Sequence, residues 1–131
     1  MLINDEMLNE LQQEALASPR LRIHRDMRNS SEDTSQRMLN ALEIGTILPI
    51  HRNPMSSETL VLLRGKIDVM FYNDRGEEIQ RYRLDSNIGT YAVNIPIGQW
   101  HNLEVLESGT AIFEAKDGKY EPLGPEDILE K

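Results

Sequence analysis

Cysteine is absent from this chain of 131 residues. Its absence excludes disulfides and thiolate–metal sites together, and fits a reducing, cytoplasmic setting. No apolar run approaches the length that spans a bilayer, so no membrane partner is expected. The first residues, "MLINDEMLNELQQEA", carry acids where a signal peptide would carry a basic region and then an apolar one. Basic residues are in short supply: 14 Lys and Arg face 22 Asp and Glu, a formal net charge of −8. Such a balance argues against nucleic-acid binding, which needs a basic face to neutralise phosphates. One block departs from it, "SPRLRIHRDMR", with Arg20, Arg22, His24, Arg25 and Arg28.

What is present suits one domain over residues 1–131, long enough to bury a core without covalent staples. Residues 4–17 read as a helix. Asn4 is placed to cap it, Asp5 and Glu6 suit its positive end, and Met7, Leu8, Leu11 and Ala15 share one face. Ser18-Pro19 stops it. From about residue 37 the apolar period changes to two. "MLNALEI", "ETLVLLRGKIDVMFY", "EEIQRYRL", "TYAVNIP" and "GQWHNLEVLESGTAIFEAKDG" are strands separated by turns at Arg64-Gly65, "NDRG" and "ESGT". Short strands at regular spacing argue for a sandwich or barrel. The expected architecture is all-β: an N-terminal helix within residues 1–20 packed on a barrel core of residues 37–118.

The chemistry concentrates at two places. The first is a frame of Gly45, His51, Asn53, Glu58 and Gly65; the second is "PIGQWH", with Pro96, Gly98 and His101. Residues two apart on a strand share a face, so His51 and Asn53 look the same way, and His101 shares its face with Leu103 and Val105. Glu58 shares its own face with Leu60 and Leu62. Two imidazoles and a carboxylate converging inside a barrel would make a three-donor site with open positions, suited to Fe, Mn, Ni or Zn as divalent ions. Asn53 is a fourth donor through its amide oxygen or a holder of metal-bound water; the alternative is a turn residue before Pro54. Arg20, Arg22 and Arg37 are candidates to grip a phosphate or carboxylate, the alternative being a solvated run paired with acids. Tyr120 is a candidate general acid, with no partner in the sequence to tune it. Trp100 points away from His101 and suits outer packing.

These frames resemble the two motifs of the cupin superfamily, G-x5-H-x-H-x(3,4)-E-x6-G and G-x5-P-x-G-x2-H-x3-N. The first matches at every spacing except the second histidine, where Asn53 stands. In the second, the stretch from proline to histidine matches, while Gly89 is one residue too far upstream and Val105 replaces the final asparagine. Over nearly the whole chain, "ASPRLRIHRDMRNSSEDTSQRMLNALEIGTILPIHRNP", "ETLVLLRGKIDV" and "IPIGQWHNLEVLESGTAIFEAKDGKYEP" look like the WbuC-type cupin-fold metalloproteins. That resemblance implies a double-stranded β-helix (a jelly roll), a bound divalent metal held by His51, Glu58 and His101, and an association with surface polysaccharide. The expected function is a metalloenzyme, an isomerase, epimerase or hydrolase, acting on a small sugar-derived or otherwise anionic ligand. The alternatives are a noncatalytic binding cupin and a structural subunit with a vestigial pocket. A homodimer is expected under each, because open sheet edges pair.

Overall fold

Asn4 opens the helix as expected: its side chain accepts the Met7 amide at 3.0 Å, and α1 runs Asp5–Ala17. The computed structural model describes residues 1–129, so the last two residues of the expected domain lie outside the described residues. Leu8, Leu11 and Ala15 are buried. Their apolar stripe lies on Leu39, Ala41 and Ala111, where each large side chain contributes about 2 kcal/mol by leaving water. Among the described residues no helix is long and apolar enough to cross a membrane.

Among the described residues ten strands follow: β1 Arg22–Asp26, β2 Ser35–Leu42, β3 Ile50–His51, β4 Glu58–Arg64, β5 Lys66–Tyr72, β6 Glu78–Asp85, β7 Ala92–Ile95, β8 Trp100–Val105, β9 Thr110–Asp117 and β10 Ile128–Leu129. They form two antiparallel five-stranded sheets, ordered β1-β2-β9-β4-β7 and β10-β3-β8-β5-β6. This is the jelly roll. The basic block is not a free run. Its middle becomes β1, an edge strand paired with β2, because Ile23 and Met27 pack beneath α1.

Alternation sorts three layers. Leu42, Leu60, Leu62, Ile67, Val69 and Ile112 belong to the apolar core between the sheets. The opposite faces of β2 and β9 (Leu39, Ala41, Ala111) meet the helix. The opposite face of the second sheet carries Ile50, Met70, Tyr72 and Trp100. Trp100 is buried at 6% exposure. Its indole donates to Asp74 at 3.0 Å, and the Arg52 guanidinium stacks over its ring.

One acid on this outer face binds the sheet edge together. Asp68 in β5 is 2% exposed and accepts hydrogen bonds from Arg83 at 2.9 Å and Arg81 at 3.3 Å. The Arg83 hydrogen bond, opposed by burial and aided by both guanidinium charges, holds its carboxyl below the usual range. A depressed native pKa means the stabilisation is present above the unfolded value of about 4 and is lost as pH falls below it. Asp68→Asn should therefore lower stability by about 1–2 kcal/mol at pH 7, a range kept small because both arginines are half-exposed. Urea denaturation at pH 7 and at about pH 3 should show the difference shrinking at the lower pH. An equal difference at both pH values would mean that the charge contributes nothing.

Candidate functional site

The register of two short strands sets the site. β3 and β8 pair with His51 directly opposite His101, and the two rings lie 4.3 Å apart between centroids. Each ring is held the same way. His51 Nδ1 lies 3.0 Å from the Pro49 carbonyl, and His101 Nδ1 lies 2.9 Å from the Gln99 carbonyl, each two residues back. An Nδ1–H donated to a carbonyl leaves Nε2 as the outward lone pair, the arrangement that orients metal-ligating imidazoles. Burial, then the neighbouring His101, pushes the His51 pKa down, which favours the neutral ring. The loops carrying the two histidines are also joined, since the Gly98 amide donates to the Asn53 carbonyl at 2.9 Å.

Glu58 begins β4 in the other sheet and crosses the core to meet them. Its Oε1 lies 3.0 Å from His101 Nε2, and its Oε2 lies 3.4 Å from Lys116 Nζ. Burial would raise its pKa, but the His101 hydrogen bond and the charges of His101 and Lys116 outweigh that and pull it to about 2. His101 thus stands between two oxygen acceptors. Both are satisfied when each ring nitrogen carries a proton, or when a cation takes the place of the Nε2 proton. The 3.0 Å separation suits the second case too, because donors at right angles and about 2.1 Å from one ion are about 3 Å apart. The donor chemistry therefore fits a divalent metal. Among the described residues, no group of three or more His, Cys, Asp or Glu side chains forms a ready-made cage.

Two cavities share His51 and Glu58 in their walls. The inner one, about 130 Å³, is lined by His51, Glu58, His101, Asn102 and Glu114 with an apolar floor of Leu60, Val69 and Leu103. The outer one, about 610 Å³, shares His51 and Glu58 and opens past Asn53, Ser56, Lys116 and Tyr120. Glu114 and Lys116 both come from β9, two residues apart, and so share its inward face with Ile112. Burial and the charge of Glu58 push the Glu114 carboxyl up to about 7. Ser56 is 8% exposed, and among the described residues its buried hydroxyl has no hydrogen-bond partner.

The expected residues fall into two groups. His51, Glu58 and His101 come together, and Tyr120 lines the outer cavity with the Arg28 guanidinium 5.4 Å from its ring centroid. Asn53 also lines only the outer cavity. Its Oδ1 accepts the Met55 amide at 3.1 Å, so the side chain closes its own turn. The arginines go elsewhere, and none of the three lines either cavity. Arg22 donates to the Ile47 carbonyl at 2.8 Å, from the far edge of the first sheet. Arg37 pairs with Asp33 at 2.9 Å, because alternation along β2 turns it to the face opposite Gln36, which does line the outer cavity. Arg20 contributes only its backbone, accepting from the Thr46 hydroxyl at 2.7 Å. The cation at the cavity junction is Lys116 instead. Glu114 and Ser56 were not legible as site residues. A Glu–Lys pair alternating with Ile112 on a core strand was the signal available for the first.

Comparisons place this arrangement in a known fold. The capsular polysaccharide assembling protein CapF from Staphylococcus aureus superposes with a TM-score of 0.65 at 20% identity, over 81% of this chain and 30% of that one. KdgF from Halomonas sp. superposes with a TM-score of 0.62 at 12% identity, over 79% of this chain and 84% of that one. The Cnp3 cupin domain of Schizosaccharomyces pombe gives a TM-score of 0.60 at 11% identity, over 74% and 61% of the two chains. The chain thus spans under a third of CapF, and at these identities the likeness is one of fold: a cupin jelly roll. No curated protein matches the sequence. A family profile does match residues 3–84, more than half of the chain, and the protein belongs to that family, described as a domain of unknown function (DUF6016).

Proposed function

We propose that this protein is a divalent-metal-binding cupin of the WbuC type, cytoplasmic and homodimeric, that acts on a small sugar-derived ligand in surface-polysaccharide metabolism. The observation that carries the reading is the meeting of His51, His101 and Glu58 in the inner cavity, with both histidines anchored through Nδ1. These three would hold the metal. A bound divalent ion supplies a Lewis acid that polarises a carbonyl or hydroxyl oxygen. The residues around it do the rest. The outer cavity is within the size range of small-molecule sites. The Lys116 ammonium at its inner end would orient a carboxylate or phosphate, and the unpartnered Ser56 hydroxyl would take a ligand hydroxyl. Fit of an anionic group depends on Lys116 and on Lys119, which also lines this cavity, because the outer wall carries Asp117, Glu121, Glu126 and Asp127 as well. CapF, named for capsular polysaccharide assembly, supports the polysaccharide setting through its fold.

Protein purified without a nickel column should contain close to one divalent ion per chain by mass spectrometry. A metal-free protein that cannot be loaded would end this reading. A noncatalytic binding cupin is the second reading, favoured by the turn that engages Asn53 and leaves three donors where the motif has four. Asn53→His bears on it directly. The variant should bind Zn or Mn about tenfold more tightly than the wild type, as a restored imidazole would. Unchanged affinity would show that the loop keeps position 53 away from the ion.

A further inference from the structure

The inner cavity is lined by two carboxyl groups, Glu58 and Glu114, and, among the described residues, by no lysine or arginine. Glu58 has Lys116 at 3.4 Å and His101 at 3.0 Å. Glu114 faces the same cavity from β9, in register with Leu60 of β4 and so one strand across from Glu58. Its carboxylate accepts one hydrogen bond, from the neutral amide of Asn40 at 3.2 Å. Among the described residues, no lysine, arginine or histidine forms an ion pair with it. Two carboxyl groups sharing one cavity disfavour each other's ionised form, and a cation between them removes that cost.

The other walls supply what such a cation needs. His51 and His101 line the cavity beside Glu58, and their Nδ1 anchors present Nε2 for a metal, that of His101 already lying 3.0 Å from Glu58. Two imidazoles with two carboxylates suit a first-row divalent ion. The two carboxylates would also cancel its double charge, which matters where the surroundings screen poorly. Asn53 is engaged in its own turn and is absent from the inner cavity wall. We propose that Glu114 is the fourth protein donor to the cation held by His51, Glu58 and His101, in place of the histidine that Asn53 removes from the H-x-H pair. This rests on the metal reading above. The four side chains do not already enclose a common point. The ion supplies the attraction that draws Glu114 in, at the expense of one long hydrogen bond.

Cobalt titration of metal-stripped full-length protein, followed by calorimetry and by the visible ligand-field bands, tests the assignment. Glu114→Gln keeps the size and the Asn40 contact but removes a donor charge. It should weaken Co(II) binding at least about tenfold and shift the bands of the complex that remains. Its metal-free form should melt no lower than the wild type, because a carboxylate facing Glu58 has gone; a merely structural Glu114 would give a lower melting temperature and unchanged cobalt affinity. Equal affinity and equal spectra in the variant would overturn the inference and leave the three-donor site standing. Failure of the wild type to bind cobalt would overturn the metal reading and the inference together. Should Glu114→Gln not fold, Glu114→Asp carries the test: weaker binding with shifted bands supports the assignment, and unchanged binding overturns it.

Discussion

His101→Ala is expected to abolish stoichiometric metal binding, taking the content from about one ion per chain to less than roughly a tenth of that. His101 is 4% exposed, lies opposite His51 in the β3–β8 pairing, and meets Glu58 at 3.0 Å, so it touches both other donors. Removing it leaves His51 as the one imidazole, facing the carboxylates of the other sheet across the gap that His101 filled. It also strips Glu58 of its imidazole partner, so a carboxylate at 5% exposure depends on Lys116 alone. Affinity should fall at least about a hundredfold. His101→Gln, which better fills the volume, should lose metal equally, and this separates loss of a ligand from loss of packing. The exposed His24, on edge strand β1, supplies the control, and His24→Ala should keep its metal. If His101→Ala kept wild-type metal content, the ion would have to bind somewhere other than the inner cavity.

Gly65→Ala should be the most destabilising single-methyl change at the glycines of the fold, lowering stability by about 3 kcal/mol or more and the melting temperature by roughly 10 °C. Gly65 turns the chain from β4 into β5 at φ +92°, a conformation that side chains other than glycine seldom adopt. Space is the greater obstacle. A Cβ there would collide with the Thr110 hydroxyl and lie 2.6 Å from the Thr110 Cα. Thr110 cannot retreat cheaply. It is 1% exposed, and its hydroxyl accepts the Lys66 amide at 3.2 Å while donating to the Glu107 carbonyl at 2.7 Å. Gly89→Ala isolates the backbone part of the effect, because Gly89 sits at φ +79° with nothing within 4 Å of its added Cβ. That change should cost about 1 kcal/mol. Denaturant melts that gave both variants the same loss would refute the claim of a steric clash at Thr110.

Much of the architecture was legible from local pattern. The α1 cap and stripe, the turns at Gly65 and Gly76, and the inward run of His101, Leu103 and Val105 each depend on spacing within a few residues, and each appears in the structure. The basic block was harder. A charge run and an edge strand look alike in sequence, because only one side of an edge strand packs. β1 becomes visible only when α1 and β2 are placed against Ile23 and Met27. β10 likewise exists only because β3 offers it an edge, Ile128 pairing with His51.

The site divides along the same line. Period two and the motif spacings determined that His51, Glu58 and His101 face inward, because strand geometry fixes a face from residue parity alone. Parity could not say which strands become neighbours. Pairing β9 beside β4 within the first sheet, and closing that sheet over the second, brought Glu114 and Lys116 to the cavities that His51 lines. The same closure turned Arg22 and Arg37 toward Ile47 and Asp33, away from any ligand, and left Asn53 to cap its own turn just past the end of β3. A sequence specifies the face each side chain presents through local geometry. Which charges then share a cavity depends on contacts between residues many positions apart, and those exist only once the chain has folded.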